Sequence, residues 1–240
     1  MDNDDLETAK KEILAVLNEA LKANVITEDE YKHMNPMNDK KAARTYMLFK
    51  VHKAHQEGSA PPERPVISGS GSITENPSKF CQHYMKQVSK DHASFLRDTC
   101  DFLLHIQNIE NLPDNAILAT IDVTGLYTHI PRDEGMQATR EGLDRRANKT
   151  VPTDFIVKLL ELLTKWNIFE FNGELYQQLE GTAMGQTHAP DYADIFMAVI
   201  DKLILEAAAS HGEGVFPIRL MKRFLDDLFR VSGQATRVPS

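Results

Sequence analysis

Two aspartates stand side by side at Asp226 and Asp227, with Phe224-Leu225 before them and Leu228-Phe229 behind. No other feature restricts the fold so tightly. The flanking runs, Ile218 to Phe224 and Leu228 to Val231, have strand composition, so the acidic pair falls at a turn between two strands. Adjacent carboxylates enclosed by apolar residues are costly unless they reach solvent or a cation. The chain must therefore bring this turn to the edge of a sheet.

A third carboxylate has a similar setting. Asp122 follows Ala116-Ile117-Leu118-Ala119-Thr120-Ile121, a run whose length and composition predict a buried strand, Ala116 to Val123. If the Asp226–Asp227 turn lies beside it, three carboxylates gather at one sheet edge. Oxygen-rich clusters of this kind suit Mg²⁺, which takes carboxylates together with substrate phosphates and water. Taken singly, Asp122 also reads as a cap and the acidic pair as a solvated turn.

The remaining periodicity predicts helices over Asp5 to Ala23, most of Asn76 to Ile109, Pro131 to Arg146, Asp154 to Trp166 and Tyr192 to Ala209. Tyr46 to His52 and Arg64 to Ser68 read as strands joined by a Gly/Ser/Pro-rich turn. Ile168 to Phe171 and Glu174 to Tyr176 flank Asn172-Gly173, the signature of a type I′ hairpin. Ser68-Gly69-Ser70-Gly71-Ser72 reads as a flexible link without the lysine of a phosphate loop. Strands and helices in this order predict an α+β fold, antiparallel strands backed by helices.

The formal net charge of −8 argues against nucleic acid as a partner, but its distribution is uneven. Between Lys41 and Phe95 eight basic residues face four acidic ones, a local strip where phosphates could lie or simply a solvated face. Cys81 and Cys100 have no ligand spacing and read as buried small side chains in a reducing compartment. With His52, His55 and His83, Cys81 makes no convincing zinc set. No apolar stretch approaches the roughly 20 residues of a membrane span. The start, Met-Asp-Asn-Asp-Asp, is wrong for a secretory signal, so an intracellular protein is expected.

Five segments in order then resemble the motifs of Penelope-like retroelement reverse transcriptases. Thr120 to Pro131 (TIDVTGLYTHIP) is similar to the first palm motif. Gly181-Thr182-Ala183-Met184-Gly185, followed by Ala189-Pro190, resembles the second, and Arg223-Phe224-Leu225-Asp226-Asp227 the third. Upstream, Leu48 to Lys53 and Arg64 to Gly69 are similar to two fingers motifs. The resemblance spans Tyr46 to Val231.

It implies a reverse-transcriptase palm, an antiparallel sheet backed by helices, with partial fingers. Residues 1–45 would be a helical extension, 46–110 the fingers region, 111–231 the palm and 232–240 an unstructured tail. It implies Asp122, Asp226 and Asp227 as catalytic, holding two Mg²⁺ ions (or Mn²⁺) with the Val123 carbonyl. Lys50, Arg64, Tyr127, Gly181 and Gly185 would bind the nucleotide, with Tyr127 as the ring that excludes a ribose 2′-hydroxyl. The implied partners are an RNA template, a DNA primer and dNTPs, and the implied location is nuclear or nucleo-cytoplasmic. Gln186 and His188 depart from the pattern. After Val231 neither further palm strands, thumb helices nor a GIY-YIG nuclease pattern can be read, so an incomplete enzyme with uncovered apolar palm surface is expected.

Three other readings stay open. One is an inactive element remnant that folds or binds nucleic acid only. Another is an RNA-copying polymerase of the same palm type, which Tyr127 opposes. The last, a two-metal phosphohydrolase, leaves Lys50, Arg64 and Tyr127 without a common purpose.

Overall fold

The computed structural model describes residues 1–38, 41–51, 59, 61–112, 114–210 and 218–233. Its elements run α1 (Asn3–Lys22), α2 (Glu28–Met34), β1 (Ala43–Phe49), β2 (Glu63–Ser68), α3 (Glu75–Val88), α4 (Thr99–Gln107), β3 (Ile117–Asp122), α5 (Leu126–His129), α6 (Arg132–Asp144), α7 (Thr153–Lys165), β4 (Ile168–Phe171), β5 (Glu174–Gln177), α8 (Ala189–Ser210), β6 (Ile218–Phe224) and β7 (Asp227–Ser232). Most of the turn between β1 and β2, Lys53 and the tail beyond residue 233 lie outside the described residues. Among the described residues no helix is long and apolar enough to cross a membrane.

Local chemistry explains most boundaries. Asp2 and Asp5 form a capping box at the start of α1, and Thr27 and Glu30 form another on α2. The second was readable as Thr-x-x-Glu, although seven residues are too few for a periodic signal. Asn172 and Gly173 both take positive φ, 52° and 83°, which a type I′ turn requires. Pro190 sits in the first turn of α8, where its missing N–H costs nothing, so that helix begins upstream of Tyr192.

The core lies among helices. Ile13 and Leu17 of α1, Met85 of α3, Leu143 of α6, Ile156, Leu159, Leu160 and Leu163 of α7, and Tyr192 of α8 are buried in one cluster. A polar clasp fastens α1 to this layer: Glu12 accepts from the Trp166 indole N–H at 2.6 Å and from the Lys165 ammonium at 2.8 Å. The Lys165 bond, then the indole, hold the Glu12 carboxyl below its ordinary range. The strands form two sheets, ordered β2-β1-β4-β5 and β3-β7-β6. Antiparallel pairing dominates, but β1 and β4 run parallel where Ala43 and Arg44 face Phe169 and Glu170.

Two expectations are corrected and one is refined. The helical stretch Asn76 to Ile109 is two helices separated by Ser89 to Asp98. That connector serves β6 instead: the Arg223 N–H donates to the Ser94 carbonyl at 2.8 Å, and Asp98 caps α4 through the Asp101 N–H at 2.8 Å. The strand before Asp122 is not buried; Ile117, Leu118 and Ile121 are 47%, 65% and 50% exposed. Periodicity reports only the apolar character of a strand, and here β3 is an edge strand. Cys81 is buried but Cys100 is exposed.

Candidate active site at the end of the three-stranded sheet

β3 and β7 pair so that Asp122 stands directly opposite Asp227. Residues so placed have Cα atoms about 4.5–5.5 Å apart and side chains on the same face. Phe224 of β6 completes the row. Like charges directly opposite in a ladder are destabilising; both side chains here are exposed to solvent, and a cation would relieve the repulsion further. Asp226 sits in the turn beside them, and its carbonyl accepts from the Val123 N–H at 2.9 Å. Thus Asp122, Val123, Asp226 and Asp227 share one end of the sheet.

The turn itself is strained. Leu225 has φ = 54°, in the left-handed region, which costs a side chain with a Cβ about 1–2 kcal/mol. Such strain persists only where surrounding structure over-determines it. The two-residue loop between Phe224 and Asp227 itself calls for positive φ at its first residue, and Arg223, within the third resembling motif, adds a second constraint. Its side chain is fully buried and pairs with Asp194 at 2.6 Å and Asp201 at 2.7 Å, while Nη1 also donates to the Leu225 carbonyl at 3.0 Å. Asp194 and Asp201, two turns apart in the largely apolar α8, were the available signal, because buried carboxylates need a buried cation.

The nucleotide candidates lie on α5, on the Gly181–Gly185 segment and on the β1–β2 hairpin. The segment Gly181 to Gly185 clasps two elements together. The Thr182 N–H donates to the Tyr127 carbonyl at 2.7 Å, the Ile67 N–H to the Met184 carbonyl at 2.7 Å, and the Gly69 N–H to the Gly185 carbonyl at 3.2 Å. A Cβ on Gly181 would fall 2.2 Å from the Tyr127 carbonyl oxygen, and one on Gly185 2.5 Å from that of Ile67. Both glycines are therefore demanded by the chain's own backbone, whatever they also contribute to a ligand. Tyr127 is half-buried on α5. Burial raises its phenol pKa first, nearby Asp226 and Asp194 raise it further, and Arg64 opposes them. Tyr127 thus lies within electrostatic reach of both Asp226 and Arg64. Arg64 stands opposite Leu48 on β2, and Lys50 follows β1 with its N–H donating to the Pro62 carbonyl at 2.8 Å. Strand alternation puts Lys50 and Arg64 on the same face of that hairpin. Lys79 of the basic strip is engaged by Glu75 at 2.8 Å.

Gln186 and His188 hold the clasp to α3. His188 Nδ1 bonds the Ser78 hydroxyl at 2.8 Å and Nε2 the Thr182 hydroxyl at 3.3 Å; the Gln186 amide donates to the Thr74 hydroxyl at 3.0 Å. Burial lowers the His188 pKa to about 4, so the ring is neutral.

A groove of about 800 Å³ opens beside the carboxylates between α4 and the sheet. Asp122 and Asp227 line it together with Phe102, Ile121, Phe224 and Phe229. As to a metal, all the donors are oxygen and suit a hard cation. Among the described residues, however, no three His, Cys, Asp or Glu side chains are drawn together into a closed ligand set. The donor type suits a hard cation such as Mg²⁺, but the carboxylates would have to turn inward to hold one.

No family model matches the chain, and no curated protein matches it. Solved structures do. The telomerase of Candida albicans, in complex with a TWJ fragment of telomeric RNA, superposes with a TM-score of 0.58 at 9% identity over 82% of this chain and 39% of its own. An RNA-dependent RNA polymerase, vp4, with dsRNA, matches at 0.56 and 9% over 97% of this chain and 22% of its own. The fold is that of a nucleic-acid polymerase palm. The RNA-dependent RNA polymerase of a human picobirnavirus agrees, at 0.54 and 13% over 82% of this chain and 36% of the polymerase. This palm chain thus spans well under half the length of the polymerases it matches.

Proposed function

We propose that this chain is the palm and part of the fingers of an RNA-directed DNA polymerase of the Penelope-like type. The observation that carries the reading is the ladder register that sets Asp122 opposite Asp227, with Asp226 in a strained turn beside them. Like charges opposed across a ladder, at the end of a palm sheet, serve a reaction that brings its own cations.

The reaction is attack of a primer 3′-hydroxyl on the α-phosphate of a dNTP, releasing pyrophosphate and following the RNA template. Asp122, Asp226 and the Val123 carbonyl would hold two Mg²⁺ ions, or Mn²⁺ in their place, with Asp227 as third carboxylate; when bound, such ions polarise the hydroxyl and neutralise the phosphates. Arg64 and Lys50 supply a planar fork and a point charge for the triphosphate. The half-buried Tyr127 ring, within electrostatic reach of Asp226 and Arg64, would occupy the volume a ribose 2′-hydroxyl needs. The clasp from Gly181 to Gly185 fixes that ring relative to the hairpin carrying Arg64. The RNA and dsRNA in the telomerase and vp4 structures support nucleic acid as partner.

The test is one-nucleotide extension of a DNA primer on an RNA template with Mg²⁺ and a single dNTP. Addition that follows the template and disappears in Asp226→Asn is expected. If the wild type binds the duplex yet adds nothing with either metal, the chain is the non-catalytic remnant instead.

A further inference from the structure

Strand alternation sends Arg223 to the side of β6 opposite Phe224, toward α8. Asp194 and Asp201 are seven residues apart, two helical turns, and so share one face of α8. The single guanidinium spans both: Nη1 donates to Asp194 Oδ1 at 2.6 Å, Nε to Asp201 Oδ2 at 2.7 Å, and Nη2 to the Asp194 carbonyl at 3.3 Å. The Ser94 hydroxyl also donates to the Asp201 carboxylate, and His92 Nδ1 bonds that hydroxyl at 2.8 Å. From this anchor Nη1 reaches the Leu225 carbonyl, inside the turn that carries Asp226.

Stability alone is a poor account of such a network. Two carboxylates share one guanidinium, and among the described residues Asp201 Oδ1 and His92 Nε2 have no hydrogen-bond partner. (His92 Nε2 lies 3.5 Å from Asp194 Oδ2, near enough for an ion pair but not aligned for a hydrogen bond.) Apolar side chains of similar volume generally fill such a site at no loss of stability. What they could not do is grip a carbonyl and two helical turns at once.

We propose that Arg223 is a positioning residue for the acidic turn: by tying the Leu225 carbonyl to Asp194 and Asp201, it fixes where the Asp226 carboxylate points, and so sets the affinity of the turn for divalent cations. The cation half rests on the polymerase reading; the positioning half does not. Arg223→Lys keeps the charge but offers one donor group in place of a fork, and cannot hold both carboxylates and the carbonyl. The triple variant Arg223→Gln, Asp194→Asn, Asp201→Asn keeps size and removes every charge; it carries the same test should the lysine variant fail to fold.

Two readouts decide it. In hydrogen–deuterium exchange, the peptide covering 218–232 should exchange about tenfold faster in the variants while peptides of α6 and α7 keep wild-type rates. In Mn²⁺ titration followed by electron paramagnetic resonance, the site lost in Asp226→Asn should bind about tenfold more weakly in Arg223→Lys. Unchanged exchange at the turn, or exchange accelerated equally across the whole chain, overturns the positioning role. A wild type with no Asp226-dependent Mn²⁺ site overturns the cation half together with the polymerase reading, and leaves the exchange experiment to decide the rest.

Discussion

Lowering the pH should unfasten the clasp that holds the site together, and His188 is the group responsible. The ring is fully enclosed between Ser78 and Thr182, and burial lowers its pKa from 6.5 to about 4. The unfolded chain takes up the proton at the higher value, so below it the unfolded state binds more protons and is favoured. The contribution is thus fully present above the unfolded pKa and is lost as pH falls through 6.5 toward 4. Linkage over that interval gives about 2 kcal/mol lost between pH 7.5 and pH 5, and about 3.4 kcal/mol once both states are protonated. Other groups titrate in the same range, so the informative quantity is a difference. His188→Asn can keep the bond to Ser78 but cannot titrate. Urea unfolding of both proteins should show the wild type ahead at pH 7.5, with its lead falling by about 2 kcal/mol at pH 5. A gap that stays constant with pH would falsify the claim that a neutral buried imidazole holds the clasp.

Three further outcomes are expected. Gly181→Ala should lose about 2 kcal/mol or more, from left-handed backbone and a contact with the Tyr127 carbonyl that has no room to relax; a melting temperature within a degree of wild type would show that the clasp yields easily. Tyr127→Ala, in a form of the protein that extends primers, should admit ribonucleotides while leaving Mn²⁺ affinity unchanged, and unaltered discrimination between dNTP and NTP would reduce the ring to packing. Leu118→Lys, at a site 65% exposed on the edge strand β3, should lower self-association in sedimentation at little cost in thermal stability; a large loss of stability would mean that β3 is covered after all.

Much of the site was legible because its chemistry is local. Strand composition on both sides of Asp226 and Asp227 dictated a hairpin, and Asn172-Gly173 dictated another, since few residues tolerate the backbone those turns need. The capping box at Thr27 and Glu30 was equally local, yet no periodic run drew attention to it. Register was not legible. Shifting β3 by one residue along β7 would have turned Asp122 to the other face, and only the packed sheet decides which pairing survives. Nor could periodicity tell that the run before Asp122 is an exposed edge, or that Ser89 to Asp98 leaves the helix to receive β6. Burial and the pairing of distant segments are properties of the assembled fold.

The division is clearest at α8. The sequence determined a long apolar helix carrying Asp194 and Asp201 two turns apart, and a strand carrying Arg223 ahead of the acidic turn. Only the tertiary structure decided that one guanidinium would close over both carboxylates and reach the Leu225 carbonyl. A buried charge states what it needs but not where it will find it; the partner is chosen by packing, because water has been excluded and the nearest opposite charge is then the cheapest neighbour.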